Sequence, residues 1–380
     1  MSIPYGRQLI EADDIEAVVA ALESDWLTTG PSVREFEEAL AAVCEVPHAV
    51  AFSSGTAALH GAAFAAGLGP GDELVTSALT FAASANCGAY LGATPRFADI
   101  ERETWNLSPR TLEPLLGQGT RAVVPVHFAG LPAPMREIRE LVGPDVVLIE
   151  DAAHALGART PEETVGSCRY SDMAVFSFHP VKVVTAGEGG MVTTRDGELA
   201  ERLRRFRTHG LTKDPDLLSR HDGGWYQEQV DLGFNYRLTD IQSALGRSQL
   251  KKLDRFVARR NEIASRYRSS LADVPSLELP PRAPDGSVHA YHLFAVVHRE
   301  GADARRALFD ALHAAGILVQ VHYSPVYFHP YYRRTYGYQE GLCPEAERYY
   351  AGALSLPCYP ALTDEQQETV VRTMRELLSS

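Results

Sequence analysis

The chain has 380 residues, 45% of them hydrophobic and 22% charged, the composition of a soluble globular protein long enough for two domains. Its formal net charge, 36 − 49 = −13, argues against a protein that binds nucleic acid or an anionic membrane through a broad basic surface. The five cysteines, Cys44, Cys87, Cys168, Cys343 and Cys358, form no CxxC pair, which argues against a zinc cluster and for free thiols in a reducing cytoplasm.

The first residues, MSIPYGRQLIEADDIEAVV, lack the charged start and apolar run of a signal peptide, and no apolar stretch is long enough to span a bilayer. Ile15, Val18, Val19 and Leu22 recur at helical spacing. A second helix follows Pro31, with Val33, Phe36, Leu40 and Val43 on one face. Strand-like runs then alternate with helical ones. The strands are 48–52, 73–76, 95–98, 121–126, 146–149 and 173–178; the helices are 56–66, 81–91, 109–116 and 135–142. This alternation predicts an α/β fold, with a mostly parallel central sheet and helices on both faces.

The segment 211–231 is polar and irregular and is expected as a surface loop. Residues 238–271 read as a long helix with a possible interruption. After the proline-rich run 280–287, HAYHLFAVVH alternates like a strand, and helices are expected at 302–315 and 364–378. The expected division is a large domain, residues 1–249, and a smaller α+β domain, residues 250–380.

Four stretches bear on chemistry. In HAVAFSSGTAALHGAAFAAG, a strand turns at Ser54, Gly55 and Thr56 into an alanine-rich helix. Unpaired N–H groups at a helix start favour a phosphate, although an ordinary N-cap accounts for the same residues. In VVLIEDAAHALGA, Asp151 ends a buried strand with His154 three residues on. A carboxylate there points into the crevice where such sheets bind ligands and suits a partner for a pyridine nitrogen; a capping aspartate and an interior histidine are the alternative. In MAVFSFHPVKVVTAGEGGMVTT, a strand delivers Ser177, His179 and Lys182 into a glycine-rich loop. Its apolar neighbours Val181 and Val183 favour the neutral amine that Schiff-base chemistry needs. In VDLGFNYRLTDIQSALG, Asn235 and Arg237 precede a helix, either as a polar arm or as a plain cap.

Taken in order, SSGTAAL, IEDAAHALGA, FSFHPVKVVTAGEGGM and GFNYRLTDIQSALG resemble the signature blocks of the DegT/DnrJ/EryC1/StrS sugar aminotransferase family. The resemblance runs from Ile3 to about Pro360. It implies a fold-type I pyridoxal-phosphate-dependent transferase. Lys182 would carry the cofactor as a Schiff base, and Asp151 would pair with the pyridinium nitrogen. His154 would touch the ring's 3'-oxygen, where many members have glutamine. Ser54, Gly55, Thr56 and Ser177 would hold the phosphate, and Phe81 would stack on the ring. Asn235 would reach the phosphate in the neighbouring subunit of a homodimer with shared sites, and Arg237 would face a carboxylate or phosphate. Members with histidine in place of the lysine are dehydratases, so Lys182 points away from that branch.

The start, IPYGRQLIEADDIEAV, and the tail, GILVQVHYSPVYFHPYYRRTYG…EAERYYAGALSLPC, are similar to the pseudaminic-acid branch. That branch implies L-glutamate as amino donor and C4 of UDP-2-acetamido-2,6-dideoxy-β-L-arabino-hexos-4-ulose as acceptor. Its substrate contacts fall on Tyr5, on Asp25, Trp26, Leu27 and Thr28, and on Gln320, Val321, His322 and Tyr323. The competing readings are transfer to another UDP- or dTDP-linked keto sugar and a regulator that binds the cofactor without turnover; the regulator lacks a basic DNA-binding segment here. A metal site at His289 and His292 is disfavoured because three residues apart on a strand they would face opposite sides.

Overall fold

The computed structural model describes residues 2–379. Two helices, α1 (Ala12–Glu23) and α2 (Pro31–Cys44), come first. Then follow β1 (His48–Phe52), α3 (Gly55–Ala65), β2 (Glu73–Ser77), α4 (Ala83–Ala89), β3 (Thr94–Ala98) and β4 (Thr120–Val124). Next are α5 (Met135–Val142), β5 (Val147–Asp151), β6 (Met173–Ser177), β7 (Gly190–Thr194) and α6 (Gly197–Phe206). The strands form a seven-stranded sheet in the order β1-β7-β6-β5-β4-β2-β3. Neighbours from β6 to β3 are parallel, and β7 runs against both β1 and β6.

Alternation along the strands sorts the core onto two faces. In β1, Ala49 and Ala51 join one cluster with Phe36, Leu40, Phe176 and Phe178, while Val50 and Phe52 join another with Ala58, Ala62, Val175 and Leu203. Burying each large apolar side chain stabilises the fold by roughly 1.5–3 kcal/mol. Burial on both faces explains why the strands read as near-continuous apolar runs.

Beyond the sheet lie α7 (Asp240–Leu250) and α8 (Leu253–Leu271), then a three-stranded antiparallel sheet of β8 (Leu277–Glu278), β9 (Phe294–His298) and β10 (Ala353–Leu356), with α9 (Ala302–Ala314) and α10 (Asp364–Leu378). Packing is continuous with the large sheet's surroundings. Phe97, Trp105 and Phe128 share a cluster with Ala295, Tyr327 and Tyr349, and Ile3–Pro4 pairs with Ile317–Leu318.

Several boundaries differ from the sequence reading, each for a local reason. The 238–271 helix breaks at Lys251–Lys252, where Lys252 Nζ turns to Asp13 and Asp14 at 2.6 and 2.7 Å. The predicted strand at 289–298 begins only at Phe294. Before it, Tyr291 takes φ 44°, the Tyr291 N–H donates to His289 Nδ1 at 2.9 Å, and the Ala290 N–H donates to Gly130 O. His289 and His292 therefore lie in a loop, so strand alternation does not separate them. His289 stacks on Tyr291, whereas His292 packs on His154. The helix read at 81–91 starts at Ala83, and the strand read at 121–126 ends at Val124 before Pro125. The 211–231 segment holds a short antiparallel pair, 211–212 with 228–229, and is largely exposed, with Trp225 78% accessible.

The apolar spacing of α1 does not face the core. Ile15, Val19 and Leu22 are exposed, and the helix buries Asp14 and Ala21 instead. The five cysteines are all free and buried. Among the described residues, no helix is long and apolar enough to cross a membrane.

Candidate active site

The carboxyl ends of β1, β5 and β6 open onto one cavity of about 850 Å³. It is lined by Ser54, Gly55 and Thr56 after β1, Phe81 before α4, Asp151 and His154 after β5, and Ser177 and Lys182 after β6. Tyr5, Gln320, Val321, His322 and Tyr323 close it from the C-terminal side. Residues far apart in sequence converge because parallel strands end on the same edge.

Ser54 is the N-cap of α3, with its hydroxyl accepting the Ala57 N–H at 3.1 Å. The first N–H groups of α3, at Gly55 and Thr56, have no intrahelical acceptor and face an anion-favouring dipole. Gly55 is required by crowding: a Cβ there would lie 2.9 Å from Ser177 Cβ. That notch brings the helix start against Ser177.

Asp151 is buried, and both of its oxygens are engaged. Oδ1 accepts the Ala153 N–H at 3.1 Å, and Oδ2 accepts the Ser84 hydroxyl at 2.5 Å. His154 is held from both sides. The Ala129 N–H donates to its Nδ1 at 3.3 Å, so the proton of the neutral ring sits on Nε2, 3.2 Å from Tyr323 Oη. Burial, then the Lys182 charge, pushes the His154 pKa well below the usual histidine value. His154 is thus a fixed neutral N–H donor. His322 behaves similarly: burial, then Lys182, takes its pKa to about 3, while Nδ1 meets Ser355 Oγ at 2.8 Å.

Lys182 sits in a turn in which its N–H donates to His179 O at 2.9 Å. Desolvation lowers its amine pKa to about 8, against the opposing pull of Asp151. A substantial neutral fraction near pH 8 is what a nucleophilic or basic lysine needs. Burial raises the Tyr323 and Tyr5 phenols above their ordinary value, so both are protonated donors at neutral pH.

Other expected site residues lie outside this cavity. Trp26 and Leu27 are about half exposed, Leu27 O accepts the Asp240 N–H, and Thr28 bridges to Thr239. Asp25 is exposed beside them. Asn235 is exposed and bridges to Thr208; Arg237 is half-buried, and neither lines the cavity. Conversely, Thr80, Val126, Ala153, Val175 and Glu188 line it without having been expected in the site, and so does His179, which the sequence places in the lysine's loop. Glu188 stood within the glycine-rich loop that follows Lys182, and no role of its own was read for it. Thr80 adjoins Phe81, and that adjacency was its one signal.

Residues 8–375 match the DegT/DnrJ/EryC1/StrS aminotransferase family. The chain belongs to that family. Its aminotransferases are pyridoxal-phosphate-dependent, and this chain is a sugar aminotransferase of that kind. It is 40% identical to the spore coat polysaccharide biosynthesis protein SpsC of Bacillus subtilis, over 99% of this chain and 97% of SpsC. Helicobacter pylori PseC, an aminotransferase involved in the biosynthesis of pseudoaminic acid, superposes with TM-score 0.92 at 31% identity, covering 100% of both chains. The PLP-form of the putative sugar aminotransferase Spr1654 from Streptococcus pneumoniae also gives TM-score 0.92, at 27% identity, covering 100% of this chain and 99% of that one. Among the described residues, one carboxylate group has metal-ligand spacing, Glu11, Asp13 and Asp14, and the Lys252 ammonium already sits against it.

Proposed function

We propose that this enzyme moves the amino group of L-glutamate to C4 of a UDP-linked 4-keto-6-deoxy-N-acetylhexosamine, the amination step of pseudaminic acid biosynthesis, with Lys182 and Asp151 as its catalytic residues. The observation behind the chemistry is a desolvated Lys182 with pKa about 8, in one cavity with Asp151 and a helix start that favours phosphate. The structural likeness to PseC supports the choice of sugar.

The residues fit pyridoxal phosphate. The Gly55 notch against Ser177 leaves backbone N–H groups and two hydroxyls for a phosphate, and Asp151 supplies an acceptor for a ring N–H. When bound, the cofactor supplies an electron sink for the carbon that gives up or receives the amino group. The protein does the rest. Ser54, Gly55, Thr56 and Ser177 would hold the phosphate. Asp151 would keep the ring nitrogen protonated. His154 would offer its Nε2–H to the ring hydroxyl oxygen, and Phe81, at the cavity wall, would cover the ring. In its neutral form, Lys182 would take the proton from the donor carbon that bears the amino nitrogen and deliver it to the cofactor carbon that keeps that nitrogen. With the keto sugar, the same amine would move the proton in the opposite direction. Tyr5, Gln320, Val321, His322 and Tyr323 line the side of the cavity left for the sugar.

The working unit is proposed as a homodimer with shared sites. Asn235 stands exposed outside this chain's own cavity, and Ile15, Val19, Leu22, Trp26, Leu27, Phe81 and Phe234 are apolar and exposed. A second copy covering those surfaces would bring Asn235, Arg237 and Asp25–Thr28 to the neighbouring site. The likeness to SpsC favours a second reading, the same amination on a nucleotide sugar destined for a surface polysaccharide.

A single-turnover spectrum tests both. The enzyme is converted with L-glutamate, the donor is removed, and candidate keto sugars are added singly. Return of the resting visible band with the L-arabino UDP-4-keto sugar, and not with its D-xylo epimer or dTDP sugars, is expected. Return only with another sugar would leave the chemistry and replace the substrate; no response to L-glutamate would overturn the donor.

A further inference from the structure

We propose that the hydroxyls of Thr80 and Ser84 form a relay that orients the Asp151 carboxylate, which makes Ser84 a positioning residue for this reaction. The inference rests on the cofactor chemistry proposed above.

Ser84 lies in the first turn of α4 and is fully buried. Its hydroxyl has one proton and three acceptors in reach: Asp151 Oδ2 at 2.5 Å, Thr80 Oγ1 at 2.7 Å and Phe81 O at 3.2 Å. The shortest contact is to a carboxylate, at the distance of a charge-assisted O–H···O⁻ bond. That bond takes the Ser84 proton. Thr80 must then be the donor to Ser84 Oγ, and the two O–H dipoles align toward Asp151, each strengthening the other.

The carboxylate has few other restraints on its rotation. The Asp151 backbone is fixed by its N–H to Pro125 O at 2.8 Å and by its O, which accepts the His127 N–H at 3.1 Å. Its Oδ1 has the Ala153 N–H. The relay fixes the second oxygen and, through it, the plane of the carboxylate. It also ties Asp151 to the turn that places Phe81 at the cavity, since Ser84 belongs to the turn following Phe81 and Thr80 lines the cavity directly. The aspartate at the edge of the cofactor space and the aromatic residue over it are thereby held by one set of hydrogen bonds.

The test uses the full-length enzyme, with Ser84→Ala, Ser84→Thr and Thr80→Val. Four quantities are read: the affinity of the cofactor-free protein for pyridoxal phosphate by fluorescence titration, the pH dependence of the visible absorbance after loading, kcat and KM for the keto sugar, and the melting temperature. Loss of a hydrogen bond to a charged group predicts a fall in kcat on the order of 10- to 100-fold in Ser84→Ala, with KM changed less than about twofold. Its pH–absorbance profile should move toward that of Asp151→Asn. Ser84→Thr should restore the profile and most of kcat, and Thr80→Val should show the same changes in smaller measure. A Ser84→Ala enzyme with wild-type kcat and absorbance profile would overturn the relay. So would a lowered melting temperature with an unmoved profile, which would reduce Ser84 to packing. If Ser84→Thr fails to fold, Thr80→Val decides alone, and an unmoved profile there counts against the relay. Wild-type protein that does not bind pyridoxal phosphate would instead overturn the functional reading, and the relay with it.

Discussion

Lys182 should cost the fold stability, and the cost should depend on pH in a defined window. Its amine pKa is about 8 in the folded chain against an ordinary 10.5, chiefly because burial disfavours the charged form. The difference of about 2.5 pH units corresponds to about 3 kcal/mol. Lys182 is partly accessible, so solvent screening brings the figure nearer 2 kcal/mol. The sign follows from proton counting. Between pH 8 and 10.5 the unfolded chain holds a proton that the folded chain has released, so stability rises with pH across that window. Below pH 8 the full cost is present. Lys182→Met removes the titrating group while keeping a similar apolar stem. Urea unfolding of cofactor-free wild type and Lys182→Met should therefore show the variant gaining about 2 kcal/mol more, relative to wild type, at pH 7 than at pH 11. Comparing the two proteins cancels the groups that do not feel Lys182; His154 and His322, which do, are held far below pH 7 by burial and do not titrate in this window, and the methionine's own packing contributes a constant offset. A stability difference that does not change between pH 7 and pH 11 would refute the desolvated lysine. Turnover should be lost at both values, the common trade of stability for a working site.

Two further outcomes follow from the same geometry. His154→Gln should keep most of the activity, because glutamine offers a neutral N–H donor as His154 Nε2 does, whereas His154→Ala should cost about 1–3 kcal/mol in kcat/KM by leaving the acceptor unpaired; a glutamine variant as poor as the alanine variant would contradict the donor role. Asn235→Ala and Lys182→Ala should each be inactive alone, and subunits mixed after unfolding and refolding together should regain activity, measured by steady-state turnover, because one site then receives Asn235 from one chain and Lys182 from the other. No recovery would place both residues in a single chain's site.

The parallel sheet was legible in the sequence because its strands are buried on both faces and alternate with helical segments. Helix α5, Met135–Val142, and helix α10, Asp364–Leu378, agree with the sequence reading at both ends. The shortened strand shows one cause of misreading. The strand expected from 289 is shortened by a side chain that captures a backbone N–H, His289 taking that of Tyr291, and by a contact to Gly130, distant in sequence. Periodicity reports which faces are apolar and carries no signal for such competition. It also cannot say which apolar face meets its own core. The stripe Ile15, Val19 and Leu22 has sound helical spacing, yet in the single chain it looks outward.

Within the site, the legible residues were those that sit in contiguous blocks at strand ends: Ser54–Thr56, Asp151, His154, Ser177 and Lys182 all face the one cavity. The supporting groups were not legible, because their roles depend on contacts between blocks. Ser84 is 67 residues from Asp151. Ala129 shows the point most clearly. It takes φ 56°, a conformation that costs an alanine about 1–2 kcal/mol, and Gly130 follows it at φ 101° with no room for a Cβ beside His154 O. That strained turn aims the Ala129 N–H at His154 Nδ1. An ionisable ring is thereby given one tautomer and one charge state, and offers a neutral N–H as an amide would. The backbone at 129 and 130 thus fixes the tautomer that the proposed role of His154, donation to the cofactor ring, would use.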